Sequence, residues 1–330
     1  MNRHGNAQWA PTKQEAHMAR PIILGVVGDS AAGKTTLTRG LVRVLGEDNV
    51  THVCTDDYHC YDRKQRAERN ITPLHPDCNY MDIMAQHLAH LQSGDRFLKP
   101  VYQHTDGTFG PLMLVKPNQF AVVEGLLGCY TEELRCLYDV RVYLNPPEEL
   151  RRRWKVQRDC SRRGYTTDQV LSELDRREPD SEAFIRPQQS FADIVVSFLP
   201  SAADQEHLDA ELILRSSLAH PDLSGVIDGS HGRDGIKLIE QENETHMFIP
   251  GNLDPEIGAE IEATVWDRLH FASHLRTERL GEFTSGTDLH RSECLAVIQM
   301  LVLYHLFTAT ASDALGGSGT RVSAAEVAAT

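Results

Sequence analysis

The run Gly28-Asp29-Ser30-Ala31-Ala32-Gly33-Lys34-Thr35, followed by Thr36, meets the spacing GxxxxGK[ST]. Such a run can hold a polyphosphate. Its glycines let the chain wrap closely, so that backbone N–H groups converge on phosphate oxygens, and a helix starting behind the loop adds a positive dipole end. Lys34 can then reach the outer phosphates of a nucleotide, and the Thr35 hydroxyl can ligate Mg2+. Downstream, Thr55-Asp56-Asp57-Tyr58-His59 and Arg63 follow a second apolar run. A carboxylate there could accept the proton of a hydroxyl that attacks a phosphoryl group. The same acidic pair could equally cap a turn or sit in a solvated loop. Glu124, in Val122-Val123-Glu124-Gly125-Leu126, occupies either the place of an acid that holds Mg2+ directly or through water, or that of an ordinary strand-end residue.

A fourth pattern lies between Arg151 and Arg163, where Arg151, Arg152, Arg153, Lys155, Arg158, Arg162 and Arg163 are opposed by one acid, Asp159. On a helix, Lys155, Arg158 and Arg162 share a stripe with Asp159 and Arg163 beside it. The stripe is either a solvated face or a set of cations that offsets repulsion between two anions and closes over them as a lid. His52, Cys54, His59 and Cys60 cluster loosely, but their spacing fits no zinc pattern.

Positioning these groups requires strands that end at the loops. Apolar, β-branched runs at 22–27, 50–55, 120–123, 140–144 and 194–199 are apolar on both faces, as in a parallel sheet covered by helices. Helical patterns at 34–46, 80–93, 147–163, 167–178 and 181–191 separate them. The alternation predicts a doubly wound, mostly parallel α/β sheet of the P-loop NTPase class. Beyond Pro200, three strands at 210–214, 236–241 and 245–249 follow one another without a crossover helix, linked by Gly-rich turns such as 227–235. They read as an antiparallel edge extension, followed by helices at 254–275 and 290–309 packed on one face. The expected organisation is a flexible tail over 1–20, a P-loop core over 21–200, the edge-strand and helical extension over 201–311, and a second flexible tail over 312–330. An exposed antiparallel edge also invites pairing with a second copy, which predicts a homodimer.

Composition narrows the partners. The chain has 330 residues, with 33 basic against 47 acidic, a net charge of −14. That field repels phosphate backbones and anionic lipid, so neither nucleic acid nor a membrane surface is an expected partner. A phosphorylated substrate would need a local basic patch, which 151–163 offers. The seven scattered cysteines and the N-terminus without an apolar core point to a reducing compartment and a cytoplasmic protein. The apolar stretch 294–311 contains Gln299 and His305 and is short for a membrane span, so it reads as a core helix.

Taken together, GDSAAGKTT (28–36), CTDDYHCYDR (54–63), KPVYQH (99–104), VVEGL (122–126), WKVQRDCSRRGYT (154–166) and RREPDSEAFIRPQQSFADIVV (176–196) resemble the phosphoribulokinases of plants and cyanobacteria, within the uridine-kinase-like P-loop kinases. The likeness runs from about 22 to 200 and weakens beyond, where LGEFTSGTDL (280–289) still carries it. It implies ATP-dependent phosphorylation of the C1 hydroxyl of ribulose 5-phosphate, with ATP and Mg2+ as cofactors and a small sugar phosphate as partner. It also implies Asp56 rather than Asp57 as general base, and Lys34, Arg158 and Asp159 as groups needed for turnover. His59, Arg63, Tyr102, His104, Lys155, Arg158 and Arg163 would meet the sugar phosphate or the transferring group, and Thr35 and Glu124 the metal. A uridine or pantothenate kinase on the same scaffold, or a catalytically silent ATP-binding regulatory protein, would share part of this pattern. One departure stands out. Light-regulated members pair a P-loop Cys with the Cys before the DDYH block. Here Cys54 is present but the P-loop position is Ala32, and no second pair surrounds Cys294, so the resemblance implies insensitivity to thioredoxin-type switching.

Overall fold

The computed structural model describes residues 20–201, 207–229, 235–275, 279–285 and 288–315. Five strands, β1 (Ile22–Gly28), β2 (Val50–Cys54), β3 (Phe120–Gly125), β4 (Val140–Leu144) and β5 (Ile194–Pro200), run parallel in the order β2-β3-β1-β4-β5. Three more extend the sheet past β5: β6 (Leu208–Arg215), β7 (Lys237–Glu240) and β8 (Glu244–Ile249), in the order β6-β8-β7 and antiparallel throughout. The sheet is doubly wound and mostly parallel, with an antiparallel edge extension.

The reason lies in the strand composition. β1 reads Ile-Ile-Leu-Gly-Val-Val-Gly and is buried at every position, so both of its faces must be covered. Ile22, Leu24 and Val26 point with Val122, Val142 and Val196 toward Leu37 and Leu41 of the helix Lys34–Leu45. Ile23 and Val27 point with Val53, Val123 and Val195 toward Met84 and Leu88 of the helix Met81–Gln92. The period of two divides each strand between two cores. The helix Glu293–Ala314 lies in the first core. By length and composition it could cross a membrane, but 78% of its most apolar stretch is buried inside the protein. Its two polar interruptions find partners there: Gln299 Oε1 accepts the Gly281 N–H at 2.8 Å, while its Nε2 has no partner among the described residues, and His305 bonds His220 at 2.8 Å. Buried polar groups are tolerated when they are paired in this way.

Several boundaries differ from expectation. The pattern at 254–275 is one helix only over Pro255–Arg268, followed by a tighter turn, His270–Leu275. The pattern at 181–191 forms a wide π turn, Ser181–Ile185, and then a 3-10 turn, Arg186–Phe191. The helix Thr167–Asp180 ends one residue past Pro179, and Pro187 supplies no N–H to an i→i−4 ladder, so a regular helix does not continue through 181–191. Residues 20 and 312–315, expected within the tails, belong to the described structure. Arg20 pairs with Asp139 at 2.7 Å and with Asp313 at 2.9 Å, and the last helix runs to Ala314; residues 1–19 and 316–330 lie outside the described ones. The start of the Gly-rich connection 227–235 belongs to the helix Ser224–Gly229, and 230–234 again lie outside. Two hairpins of two or three residues per strand, Phe97–Lys99 with Met113–Val115 and Tyr102–Gln103 with Thr108–Phe109, were not legible in the pattern, nor was the helix Arg63–Arg69.

Candidate functional site

The loop between β1 and the helix Lys34–Leu45 is shaped by its backbone. Gly28 has φ 150° and a Cβ there would lie 2.6 Å from the Leu144 carbonyl oxygen, while Gly33 has φ 98° at the helix N-cap. Only glycine fits both positions without strain. Ala31 is also left-handed, at φ 68°, a conformation that costs an L-residue energy and is kept where the loop is over-determined. Lys34 Nζ folds back along the loop and donates to the carbonyls of Gly28 at 2.7 Å and Asp29 at 2.8 Å. Burial lowers its pKa, opposed by Asp56, Glu124 and Asp29. Asp29 is buried and accepts from Ser181 Oγ, with Arg151 3.7 Å from its other oxygen. The loop is thus held from both sides before any phosphate enters.

Glu124, at the end of β3, is the hard-oxygen group beside this loop. Its Oε1 lies 3.3 Å from Thr35 Oγ1, and its Oε2 accepts from Thr38 Oγ1 at 2.9 Å. Burial would raise its pKa, but His52, Thr38 and Lys34 outweigh that and hold it below the ordinary value. Thr38 was missed in the sequence, although it lies one turn beyond Thr35 on the same helix face. Thr36 faces solvent one position further on.

The two carboxylates after β2 separate sharply. Asp57 is buried: its Oδ2 accepts from Lys99 Nζ and its Oδ1 from the Tyr102 N–H at 2.8 Å. Asp56 has no such partner and points into the crevice, with His104 Nε2 3.6 Å from its Oδ2. Burial would raise the Asp56 pKa, but His59, His104, Lys34 and Arg177 together hold it below the usual carboxylate value. Asp56 is therefore an ionised carboxylate within the field of Lys34. His59 is buried, with Nδ1 bonded to Asn79 Oδ1 at 2.8 Å, and burial lowers its pKa. Tyr102 packs edge-on against His59 and His104. Its hydroxyl accepts from Arg66 Nη2 at 2.5 Å, and that buried arginine was also missed. Arg63 is exposed and donates to the His104 carbonyl at 2.7 Å, which fixes the rim of the pocket rather than its floor. The histidines at 52–60 turn apart: His52 faces Glu124 and His59 faces Asn79. Among the described residues, no group of three or more His, Cys, Asp or Glu could hold a metal unaided.

The basic helix Glu148–Arg163 divides its charges between two tasks. Arg151 and Arg152 turn to Glu148, and Arg152 also to Asp175, so they brace the helix instead of offering free charge. The crevice receives Lys155 and Arg158, whose Nζ and Nη2 lie 3.1 and 3.4 Å from Ser30 Oγ. Asp159, buried beneath them, pairs with Lys155 at 2.9 Å, Arg158 at 2.8 Å and Arg163 at 3.6 Å. It orients the cations from below. Burial, then Arg158 and Arg177, lowers the Lys155 pKa to about 7. The Arg162 side chain lies outside the described ones. Arg177 and Ser181 stood inside a quoted motif without a role. With Asp29, Ser30, Arg151 and Lys155 they line a narrow cleft between the loop and the helices 148–163 and 167–180.

A P-loop after β1, a carboxylate after β2, an acid closing β3 and cations from the helix after β4 meet outside the carboxyl ends of parallel strands, the crevice in which open α/β sheets hold ligands. This is the P-loop kinase fold. A sequence profile described as "Phosphoribulokinase / Uridine kinase family" matches residues 23–204, and the chain belongs to that family. A phosphoribulokinase of Synechocystis sp. is 41% identical over 182 residues, covering 55% of this chain and 55% of the relative. A chloroplastic phosphoribulokinase of Triticum aestivum is 35% identical over 199 residues, covering 55% of this chain and 49% of the relative. The chain thus matches about half the length of these curated relatives. The solved structure of a phosphoribulokinase from Rhodobacter spheroides shares the fold at TM-score 0.55 and 19% identity, over 78% of this chain and 99% of that one.

Proposed function

We propose that the chain transfers the terminal phosphoryl group of ATP to a hydroxyl of ribulose 5-phosphate, giving ribulose 1,5-bisphosphate. The observation that carries the reading is the division of labour between adjacent acids: Asp57 is consumed by Lys99 and Tyr102, whereas Asp56 stands ionised in the crevice near Lys34. Asp56 would take the proton of the acceptor hydroxyl. Lys34 would exchange its loop carbonyls for phosphate oxygens. Arg158 would meet charge developing on the transferred group, and Lys155 and Arg163, oriented by Asp159, the phosphate that the acceptor already carries. His59, Tyr102 and His104 would shape the sugar pocket, with Arg63 at its rim. Thr35 and Glu124 offer the oxygen donors that Mg2+ prefers and are few enough to leave room for phosphate and water. Mg2+ held there would neutralise charge on the nucleotide phosphates.

Cations gathered over Asp159 favour an anionic acceptor over the neutral acceptor of a uridine kinase. An ADP-release assay with ribulose 5-phosphate, uridine and pantothenate side by side tests this. Turnover is expected with ribulose 5-phosphate alone, and a rate no higher than the ATP-only blank would end the reading. We further propose a cytoplasmic homodimer. All seven cysteines are free thiols, as in a reducing compartment, and the edge strand β7 presents Ile239, 59% exposed, to a second copy.

The Lys155 ammonium adds a pH prediction. With its pKa lowered to about 7 it is a cation below neutrality and loses that charge above it. The ratio kcat/KM reports the free enzyme, so for the sugar phosphate it should bend downward above about pH 7. In Lys155→Arg the guanidinium keeps its charge, and the bend should move to higher pH. An unmoved bend would assign the alkaline limb to another group.

A further inference from the structure

His59 and Asn79 face each other across an isolated antiparallel bridge. It is closed by two backbone bonds, Cys60 N–H to Cys78 O at 2.7 Å and Tyr80 N–H to Tyr58 O at 2.8 Å. Counting one residue outward along both chains, this register sets Cys60 directly opposite Cys78. The ladder stops there, because the Cys78 N–H turns back to the His75 carbonyl at 3.0 Å in the tight turn Pro76–Cys78. The one bond from the Cys60 N–H to the Cys78 carbonyl still holds the two Cα atoms within about 6.6 Å by standard backbone dimensions, inside the roughly 4.4–6.8 Å that a disulfide bridges. Both thiols are free, Cys78 is fully buried and Cys60 is half-buried, so one of them is reachable from solvent. The second thiol is not isolated: the Arg66 guanidinium and Cys60 both lie close enough to influence its ionisation.

We propose that Cys60 and Cys78 form a redox modification site, joined as a disulfide by exchange with a small-molecule disulfide of the oxidised-glutathione class. The Cys60 thiolate attacks one sulfur of that disulfide, breaking its S–S bond, releasing one thiol and leaving a mixed disulfide on Cys60. The Cys78 sulfur then attacks the Cys60 sulfur, and its proton passes to the departing thiolate, which leaves as the second thiol. The protein loses two electrons and two protons, and the small disulfide gains both. Burial pushes the Cys78 thiol up to about 11, and burial with Asp82 and Asp77 raises Cys60, so the pair stays reduced until such a disulfide accumulates.

The ring closed by this bond, 60–78, contains the helix Arg63–Arg69 and the buried Arg66. Because the link follows a register already present, it staples the segment where it lies and removes freedom chiefly from the unfolded chain. It is a different device from a P-loop disulfide, which Ala32 forbids, and it does not depend on the substrate assigned above.

The test incubates the full chain with oxidised glutathione, blocks remaining thiols and maps peptides without reduction. A Cys60–Cys78 linked pair is expected, together with a thermal unfolding midpoint several degrees higher that returns to its starting value with dithiothreitol. Cys60→Ser and Cys78→Ala should each lose both signals. Cys60 recovered only as its glutathione adduct, or joined to Cys54, would overturn the proposal. So would an equal rise of the midpoint in Cys60→Ser.

Discussion

Asp56→Asn should lower kcat by about 10²–10⁴-fold, the usual worth of a positioned general base, while ATP binding survives. The amide keeps the shape of the carboxylate and cannot take a proton from the acceptor hydroxyl. The groups that would hold nucleotide, namely the loop 28–36, Lys34 and the Thr35–Glu124 pair, make no contact that depends on the lost charge beyond its field at Lys34. The loss should therefore appear in kcat measured by ADP release, with a nucleotide Kd from titration close to the parent value. A variant that keeps most of its kcat would show that the proton leaves by another route. A variant that loses ATP affinity in the same proportion would make Asp56 part of the nucleotide site.

How much of this was legible in the sequence depended on distance along the chain. The P-loop was readable because its geometry is written in consecutive residues: Gly28 and Gly33 stand where the backbone turns left-handed, and Lys34 and Thr35 follow at once. The five parallel strands were readable because a strand covered on both faces has no polar alternation, and β1 is the extreme case. The choice between Asp56 and Asp57 was not written locally. It is made by Lys99 and Tyr102, which reach Asp57 from hairpins too short to leave a period-two trace. The basic helix was visible as a charge run, but its division into bracing and crevice-facing cations depends on Glu148, Asp175 and the buried Asp159. Ser181 meets Asp29 from the wide turn that follows the helix Thr167–Asp180, and Arg177 lines the same cleft from within that helix, a tertiary placement that no spacing rule anticipates.

Asp57→Ala should act in the opposite sense to Asp56→Asn, costing stability first and catalysis second. Lys99 is 2% exposed, so removing Asp57 leaves a buried ammonium with only the Pro100 carbonyl, 3.3 Å away, as a partner among the described residues, and the Tyr102 N–H without its acceptor. Breaking a buried pair by deleting one partner costs about 3–5 kcal/mol, because the remaining charge is left uncompensated. The unfolding midpoint in denaturant should fall accordingly. Deleting both charges, as in Asp57→Ala with Lys99→Met, should restore much of the loss, since an apolar replacement of a buried pair is often neutral or better. The four proteins form a double-mutant cycle whose coupling term isolates the pair. In the same variants Tyr102, no longer fixed by its backbone, should let His59 and His104 drift and raise KM for the sugar phosphate more than it lowers kcat. An Asp57→Ala midpoint equal to the parent's, or a kcat loss as deep as that of Asp56→Asn at unchanged stability, would reverse the roles assigned to the two acids.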